Sequence, residues 1–256
     1  MKLGDSMKAL VTGASSGIGA DIAKELSKRG FDLILVSRRK TRLAKLKSEL
    51  NTNVEIINMD ISSTFNCMEL YNQVKDQEIE VLVNCAGFGV FGDFTSTSLD
   101  KELDMIDTNI KGLHILTKLF LTDFNKRNRG YILNVASAAA FVPGPLMASY
   151  YASKAYVLRL SESIYGELRE IKSNVGISVL CPGPVDTEFN KVAKVNFSTK
   201  PLSSEFVARY AVDKMFKKKL IIIPGKMIKI YCKFSKFIPR KTILKFNYYF
   251  QSKKEV

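Results

Sequence analysis

Tyr150 and Lys154 stand four residues apart in Ser149-Tyr150-Tyr151-Ala152-Ser153-Lys154-Ala155, and Ser137 lies thirteen positions before the tyrosine. On a helix, residues four apart share a face, so the phenol and the ammonium would sit side by side. A tyrosine ionises at about 10, and a neighbouring cation favours the phenolate and lowers that value. A phenol tuned in this way exchanges a proton with an oxygen near neutral pH. Tyr151 lacks the arrangement, because its own i+4 neighbour is Ala155. Taken alone, the pair reads better as a coincidence on a solvated helix face.

Such a pair needs elements to hold it and a reactant to act on. Near the N-terminus, Lys8-Ala-Leu-Val-Thr12 reads as a short buried strand, followed by Gly13-Ala-Ser-Ser-Gly17-Ile-Gly19 and an amphipathic helix to about Arg29. Strand, glycine turn and helix form the context in which a glycine motif cradles a dinucleotide. The glycines let the backbone turn and approach a pyrophosphate, and the helix start supplies N–H groups and a positive dipole. The spacing is G-x-x-x-G-x-G, and a helix that merely follows a glycine-rich loop would look the same. Further strand-like runs fall at residues 33–37, 54–58, 81–84, 131–136, 176–181 and 220–223, alternating with helical segments. That order predicts an α/β fold: a single Rossmann-type domain with a doubly wound parallel sheet of about seven strands.

With both motifs in view, the chain resembles the short-chain dehydrogenase/reductase family from about Met7 to about Ile223. The resemblance rests on Thr12-Gly-x-x-x-Gly-Ile-Gly19, Asp60, Asn84-Cys-Ala-Gly87, Asn109, Ser137, Tyr150-x-x-x-Lys154 and Pro182-Gly183-x-Val-x-Thr187. It implies hydride transfer between a nicotinamide cofactor and a carbonyl or alcohol carbon. Tyr150 would be the general acid/base and Ser137 would hydrogen-bond the substrate oxygen. Lys154 would lower the Tyr150 pKa and hold the nicotinamide ribose, and Asn109 would order a water that returns protons to Lys154. The cofactor would lie on Gly13, Ser15, Ser16, Gly17, Ile18 and Gly19. Asp60 would sit near its adenine, Asn84, Ala86 and Gly87 beneath it, and Pro182, Gly183, Val185 and Thr187 around its nicotinamide, with Tyr150 and Lys154 contacting it as well. No metal is implied.

The second strand bears on which cofactor is preferred. An acid about 20 residues past the glycine motif would hold the 2′-hydroxyl of NAD. Here the strand ends Val36-Ser37-Arg38-Arg39-Lys40, and Asp32 is at its opposite end. A guanidinium pairs with a 2′-phosphate, so the turn resembles an NADP(H) pattern with Ser37 and Arg38 nearest the phosphate; a solvated basic turn is the other reading. The segments Phe88–Phe91, Phe141–Met147 and Phe189 to about Pro201 are apolar and carry no arginine clamp, which suits a hydrophobic ketone or aldehyde. A biosynthetic ketoacyl reductase fits as well. The reading from another class is a non-catalytic NADP(H)-binding sensor or scaffold, although the full Ser137/Tyr150/Lys154 set argues for an enzyme.

With 256 residues, 46% of them hydrophobic, the chain fills one well-packed domain, expected over 1–223, and leaves a basic amphipathic C-terminal helical extension over 224–256. Residues 1–213 carry 26 Lys+Arg against 24 Asp+Glu, a net +2, whereas residues 214–256 carry 13 against 1, a net +12. The positive charge therefore belongs to the tail. Its cations at 226, 229, 233, 236, 240 and 241 step mostly by three or four, among Met227, Ile228, Ile230, Tyr231, Phe234, Phe237 and Ile238. Pro239 should break this helix before a second aromatic patch at Ile243–Phe250. A stripe of this kind suits an anionic membrane surface or a hydrophobic-substrate entry. It suits equally packing on the body or on another subunit, and less well nucleic acid. No apolar run reaches the ~18 residues of a membrane span.

Four scattered cysteines without C-x-x-C spacing, a lone His114 in an apolar helix, and a Met1–Ser6 segment without a signal-like core suggest a reduced, cytoplasmic protein. The tail could place it peripherally at the membrane inner face. A homodimer or homotetramer is what the family resemblance implies.

Overall fold

The computed structural model describes residues 7–189 and 201–253. Seven parallel strands form the central sheet in the order β3-β2-β1-β4-β5-β6-β9. They are β1 (Lys8–Thr12), β2 (Asp32–Ser37), β3 (Val54–Asn58), β4 (Ile79–Asn84), β5 (Tyr131–Val135), β6 (Gly176–Leu180) and β9 (Ile221–Ile222). Every residue of β2 and β6 is buried, as expected for strands covered on both faces, which read as continuous apolar runs.

Alternation along each strand divides the core between two layers. Ala9, Val11, Leu33 and Leu35 point to one side, among Ile22 and Leu26 of α1 (Gly17–Lys28) and Val207 and Val212 of α7 (Ser204–Phe216). Leu10, Ile34 and Val36 point to the other, among Leu70 of α3 (Thr64–Val74), Phe120 and Phe124 of α5 (Leu113–Lys126), and Ile164 and Leu168 of α6 (Ala148–Glu170). Among the described residues the body also holds α2 (Lys40–Ser48) and α4 (Leu99–Ile106).

From β1 the chain winds outward through β2 to β3, then returns across the sheet to pair β4 on the other side of β1. The strand order thus reverses between β1 and β4, and a crevice opens at their C-terminal ends, where such folds bind ligands. The sequence anticipated the strands to within a residue or two, except that the last strand has only two residues. A small parallel ladder of β7 (Val185–Asp186) and β8 (Leu202–Ser203) was not anticipated. It ties the Pro182–Thr187 segment to the start of α7. Most of the expected apolar segment after Phe189 lies outside the described residues.

Beyond the sheet, α8 (Lys226–Phe234), a 3₁₀ turn at Ser235–Phe237 and α9 (Arg240–Ser252) follow, to the end of the described residues. Pro239 stands at the N-cap of α9, so it separates the two helices as its missing N–H requires. The tail packs on the body. Asn247 Nδ2 donates to Pro143 O at 2.7 Å, Gln251 donates to the Tyr151 hydroxyl, and Ile228 covers Gly183.

Candidate active site

A cleft of about 1140 Å³ lies across the switch point. The glycine loop forms its floor. Gly13 has φ +66°, and a Cβ there would come within 2.7 Å of the Ala86 backbone, so only glycine lets the loops after β1 and β4 touch. Thr12 Oγ1 fastens the same junction, accepting from the Cys85 and Ala86 amides at 3.1 and 3.3 Å. Ser16 caps α1 in an extended conformation without a side-chain cap bond, and the first turn of α1 has no acidic residue. A helix start of this kind, beside a loop stripped of side chains, fits a pyrophosphate.

Ser137, Tyr150 and Lys154 converge on the opposite wall. The Ser137 strand end is held to Pro182 by the Ala138 N–H···O contact of 2.8 Å, and Ser137 Oγ accepts from Ala139 N at 3.1 Å. Tyr150 and Lys154 are buried on one face of α6, as the spacing predicted. Lys154 Nζ donates to Val135 O at 3.0 Å and lies 5.8 Å from the centre of the Tyr150 ring.

The expected depression of the Tyr150 pKa by Lys154 is not met by the protein groups themselves. Burial dominates and pushes the phenol up to about 12, while the hydrogen bond to Ser137 pulls it back in part. Burial likewise lowers Lys154 to about 8. Desolvation disfavours the charged form of each, and the ammonium spends its close contact on a carbonyl rather than on the phenol oxygen.

Of the sequence-predicted site residues, Gly13, Ser15, Ser16, Gly17, Ile18, Gly19, Ser37, Arg38, Asp60, Ala86, Gly87, Ser137, Tyr150, Lys154, Pro182, Gly183, Val185 and Thr187 all line this cleft. Asn84 and Asn109 stand behind it. The Asn84 amide donates to Thr117 Oγ1 and Asn134 Oδ1 at 3.0 and 2.9 Å, and Asn134 in turn donates to Ser161 at 3.1 Å. This buried network locks β4 to β5, α5 and α6.

Asn109 lies in a π-helical turn, Asp107–Gly112, between α4 and α5. Such bulges concentrate at functional sites. Its amide clasps the Phe88 backbone at both ends, donating to the carbonyl at 2.9 Å and accepting from the N–H at 3.1 Å, and it also donates to Ser153. A Cβ on Gly87 would meet Asn109 Oδ1 at 2.7 Å and Lys154 Nζ at 3.3 Å, so this glycine lets both groups crowd the wall of the cleft.

The sequence singled out Arg38, whereas its neighbour is the better connected. Arg38 is largely exposed, 3.5 Å from Asp60. Arg39 reaches across the cofactor loop, donating to Ser15 and Ser16 at 2.6–2.9 Å and to Glu188 at 2.8 Å. Arg42 bonds the same carboxylate at 2.5 Å, and the two guanidiniums, Arg42 foremost, hold Glu188 down at about 2. Glu188 is 149 residues from Arg39, so only the basic run after β2 could have hinted at this cluster.

Around Tyr150 the cleft is apolar, lined by Ala139, Met147, Phe88, Val90, Phe91 and Phe189, with Met105 packed behind them. The tail adds Ile228, Tyr231 and Phe250. His114 is remote from this lining and bonds the Tyr156 hydroxyl at 2.8 Å. All four cysteines are free thiols. The described residues hold no cluster of His, Cys, Asp or Glu suited to a metal, and none of their helices is long and apolar enough to cross a membrane.

Fold and cleft together define a nucleotide-binding α/β oxidoreductase architecture. The chain matches the short chain dehydrogenase family over residues 7–196 and belongs to it. It is similar to an uncharacterized oxidoreductase of Staphylococcus epidermidis, 37% identical over 70% of this chain and 78% of that one. It is also similar to the very-long-chain 3-oxoacyl-CoA reductase of Anas platyrhynchos, 35% identical over 78% of this chain and 66% of that one. Among solved structures, the short-chain dehydrogenase from Sphingobium yanoikuyae in complex with NADPH superposes with a TM-score of 0.80, at 29% identity over 86% of this chain and 88% of that one.

Proposed function

We propose that this oxidoreductase reduces a hydrophobic ketone or aldehyde with NADPH, using Tyr150 as general acid. The observation that carries the reading is the convergence of Ser137, Tyr150 and Lys154 on an apolar cleft that continues into the glycine loop. When bound there, NADPH supplies the hydride. Gly13–Gly19 and the start of α1 would hold its pyrophosphate. Arg38, Arg39 and Ser37 would hold its 2′-phosphate, since the end of β2 offers guanidiniums and no carboxylate. The NADPH complex of the Sphingobium relative supports the same choice.

Tyr150 remains a neutral phenol throughout the physiological range, which is the form that donates a proton to a carbonyl oxygen. Ser137 hydrogen-bonds that oxygen and offsets its developing negative charge. Lys154 keeps its ammonium beside the phenol below about pH 8. Above that pH the amine is neutral, and Tyr150 loses its cationic neighbour while still protonated. The reduction rate should therefore be level through neutrality and fall as pH rises past about 8, as an initial-rate pH profile would register.

Phe88, Phe91, Met147 and Phe189 exclude water and favour an apolar substrate. The duck reductase's name points to long acyl chains for that relative and supports the same class here. The reading extends to a cytoplasmic homo-oligomer.

Replacing Tyr150 with Phe keeps the ring and removes the proton. Turnover should fall by about 10²–10⁴-fold, with NADPH binding, followed by fluorescence titration, unchanged. Near-normal turnover in that variant would refute the assignment.

A further inference from the structure

Helix α9 is inside out. Its buried positions are Ile243, Asn247 and Gln251, an i, i+4, i+8 stripe that is mostly polar. Its outward positions include Leu244, Phe246, Tyr248 and Tyr249. Helix α8 and the turn after it expose Met227, Ile230, Phe234 and Phe237. Met227 is 77% exposed, Phe237 70%, Tyr249 55% and Phe246 52%. A helix lying on its own domain normally hides its apolar stripe, and contiguous exposed apolar surface marks an interaction site.

Cations are interleaved with these rings. Lys236 Nζ lies 5.0 Å from the Phe237 ring centre, Lys233 5.8 Å from Phe234, and Lys253 4.1 Å from Tyr249. The patch is therefore apolar and cationic at once, on a segment (residues 224–256) that carries nine Lys+Arg against one acid, a net charge of +8. Pairing with a second copy through this face would bring two such segments together and be opposed by their like charge. The aliphatic Met227, Ile230 and Leu244 offer no planar face for stacking on bases, which is the part side chains play in single-strand binding. An anionic bilayer satisfies both features: rings and aliphatic chains enter the acyl boundary while lysines reach phosphate.

The patch is continuous with the cleft. Phe250 lines the cleft and lies 4.4 Å from Phe246 and 5.6 Å from Tyr249, centre to centre. We propose that the outer face of α8 and α9 docks on an anionic lipid bilayer, turning the apolar mouth between Tyr231 and Phe250 toward the lipid so that a membrane-dissolved carbonyl compound enters there. The substrate part of this inference rests on the reaction proposed above; the docking part does not.

The test is co-sedimentation of the full-length protein with vesicles of phosphatidylcholine alone or of phosphatidylcholine and phosphatidylglycerol in equal parts. At low salt the anionic vesicles should bind about tenfold or more tightly than the neutral ones, since each cation near such a surface contributes about 1 kcal/mol. Raising the salt should release the protein. The variant F237S/F246S/Y249S should lose about tenfold or more in vesicle affinity, since three rings no longer enter the acyl boundary, while reducing a water-soluble ketone at the wild-type rate. Docking is overturned if the active intact protein stays in the supernatant, or if the triple variant sediments as wild type does. It is equally overturned if these residues instead support a concentration-dependent dimer, or an oligonucleotide complex, in the absence of vesicle binding. Substrate delivery is overturned if a vesicle-dissolved ketone turns over no faster on anionic than on neutral vesicles. Failure of the ketone reaction itself, with vesicle binding intact, would count against the proposed function and leave docking standing.

Discussion

The body and the tail solve the burial problem in opposite ways. In the body, strand alternation sends Leu10, Ile34 and Val36 into one core layer and Val11, Leu33 and Leu35 into the other. Polar groups in the interior are largely gathered into bonded sets, such as Asn84, Thr117, Asn134 and Ser161. In the tail, Asn247 and Gln251 turn inward while phenylalanines and tyrosines face out. The body's sheet is covered from both sides, and its exposed apolar residues, such as Phe65, Leu99 and Ile171, lie on separate helices and loops. The tail's pattern is the one that the proposed docking on an anionic bilayer would satisfy. On the proposed reading, a body whose chemistry depends on desolvation carries a short tail whose role depends on exposure.

If that contrast is right, substitutions should separate the two halves. The largest separation is expected at the rim of the cofactor cleft. Replacing Arg38 and Arg39 together with Ala should raise the Kd for NADPH by roughly 10- to 100-fold, the equivalent of one charge-assisted bond of about 1.5–3 kcal/mol, because both guanidiniums are partly solvated. NADH binding should change far less, and vesicle binding not at all. Titration calorimetry with the two nucleotides would measure this, and equal losses for both would remove the 2′-phosphate contact.

A smaller effect should distinguish the interiors. Asn134→Ala leaves Asn84, Thr117 and Ser161 without a common partner in a fully buried position. It should cost about 1–3 kcal/mol, and each kcal/mol lowers Tm by about 2–4 °C in a domain of this size. Phe246→Ser, on the exposed face of α9, should stay within about 0.5 kcal/mol of wild type. Thermal unfolding of the two variants side by side would check the pair. A destabilised Phe246→Ser would mean that the tail's outer face is already part of a packed core.

Much of the body was legible because its signals are local. Continuous apolar runs such as Leu33–Val36 mark strands buried on both faces, and the glycines between β1 and α1 mark the cofactor turn. The four-residue spacing of Tyr150 and Lys154 places both on one wall of α6. What sequence reading missed depends on contacts distant in the chain or on backbone detail. The clasp of Asn109 on Phe88 follows from a π turn, whose extra residue leaves no periodic trace. The bond of Arg39 to Glu188 joins the end of β2 to the segment after β7, which only the fold brings together. The Tyr150 pKa was misjudged in sign because spacing reports proximity to a cation and says nothing about burial, and burial is the larger effect here. In the tail the cation stripe was plain, but its inversion was not, since periodicity shows that a helix has two faces and leaves open which one turns inward.

The most direct test of the central claim is NADPH consumption by the purified protein against a graded series of ketones and aldehydes, with NADH in parallel. The account predicts turnover with NADPH, at least about tenfold slower with NADH by the phosphate contact, and rising with the size of the apolar substituent. NADPH binding without turnover on any carbonyl, or equal turnover with NADH, would contradict it.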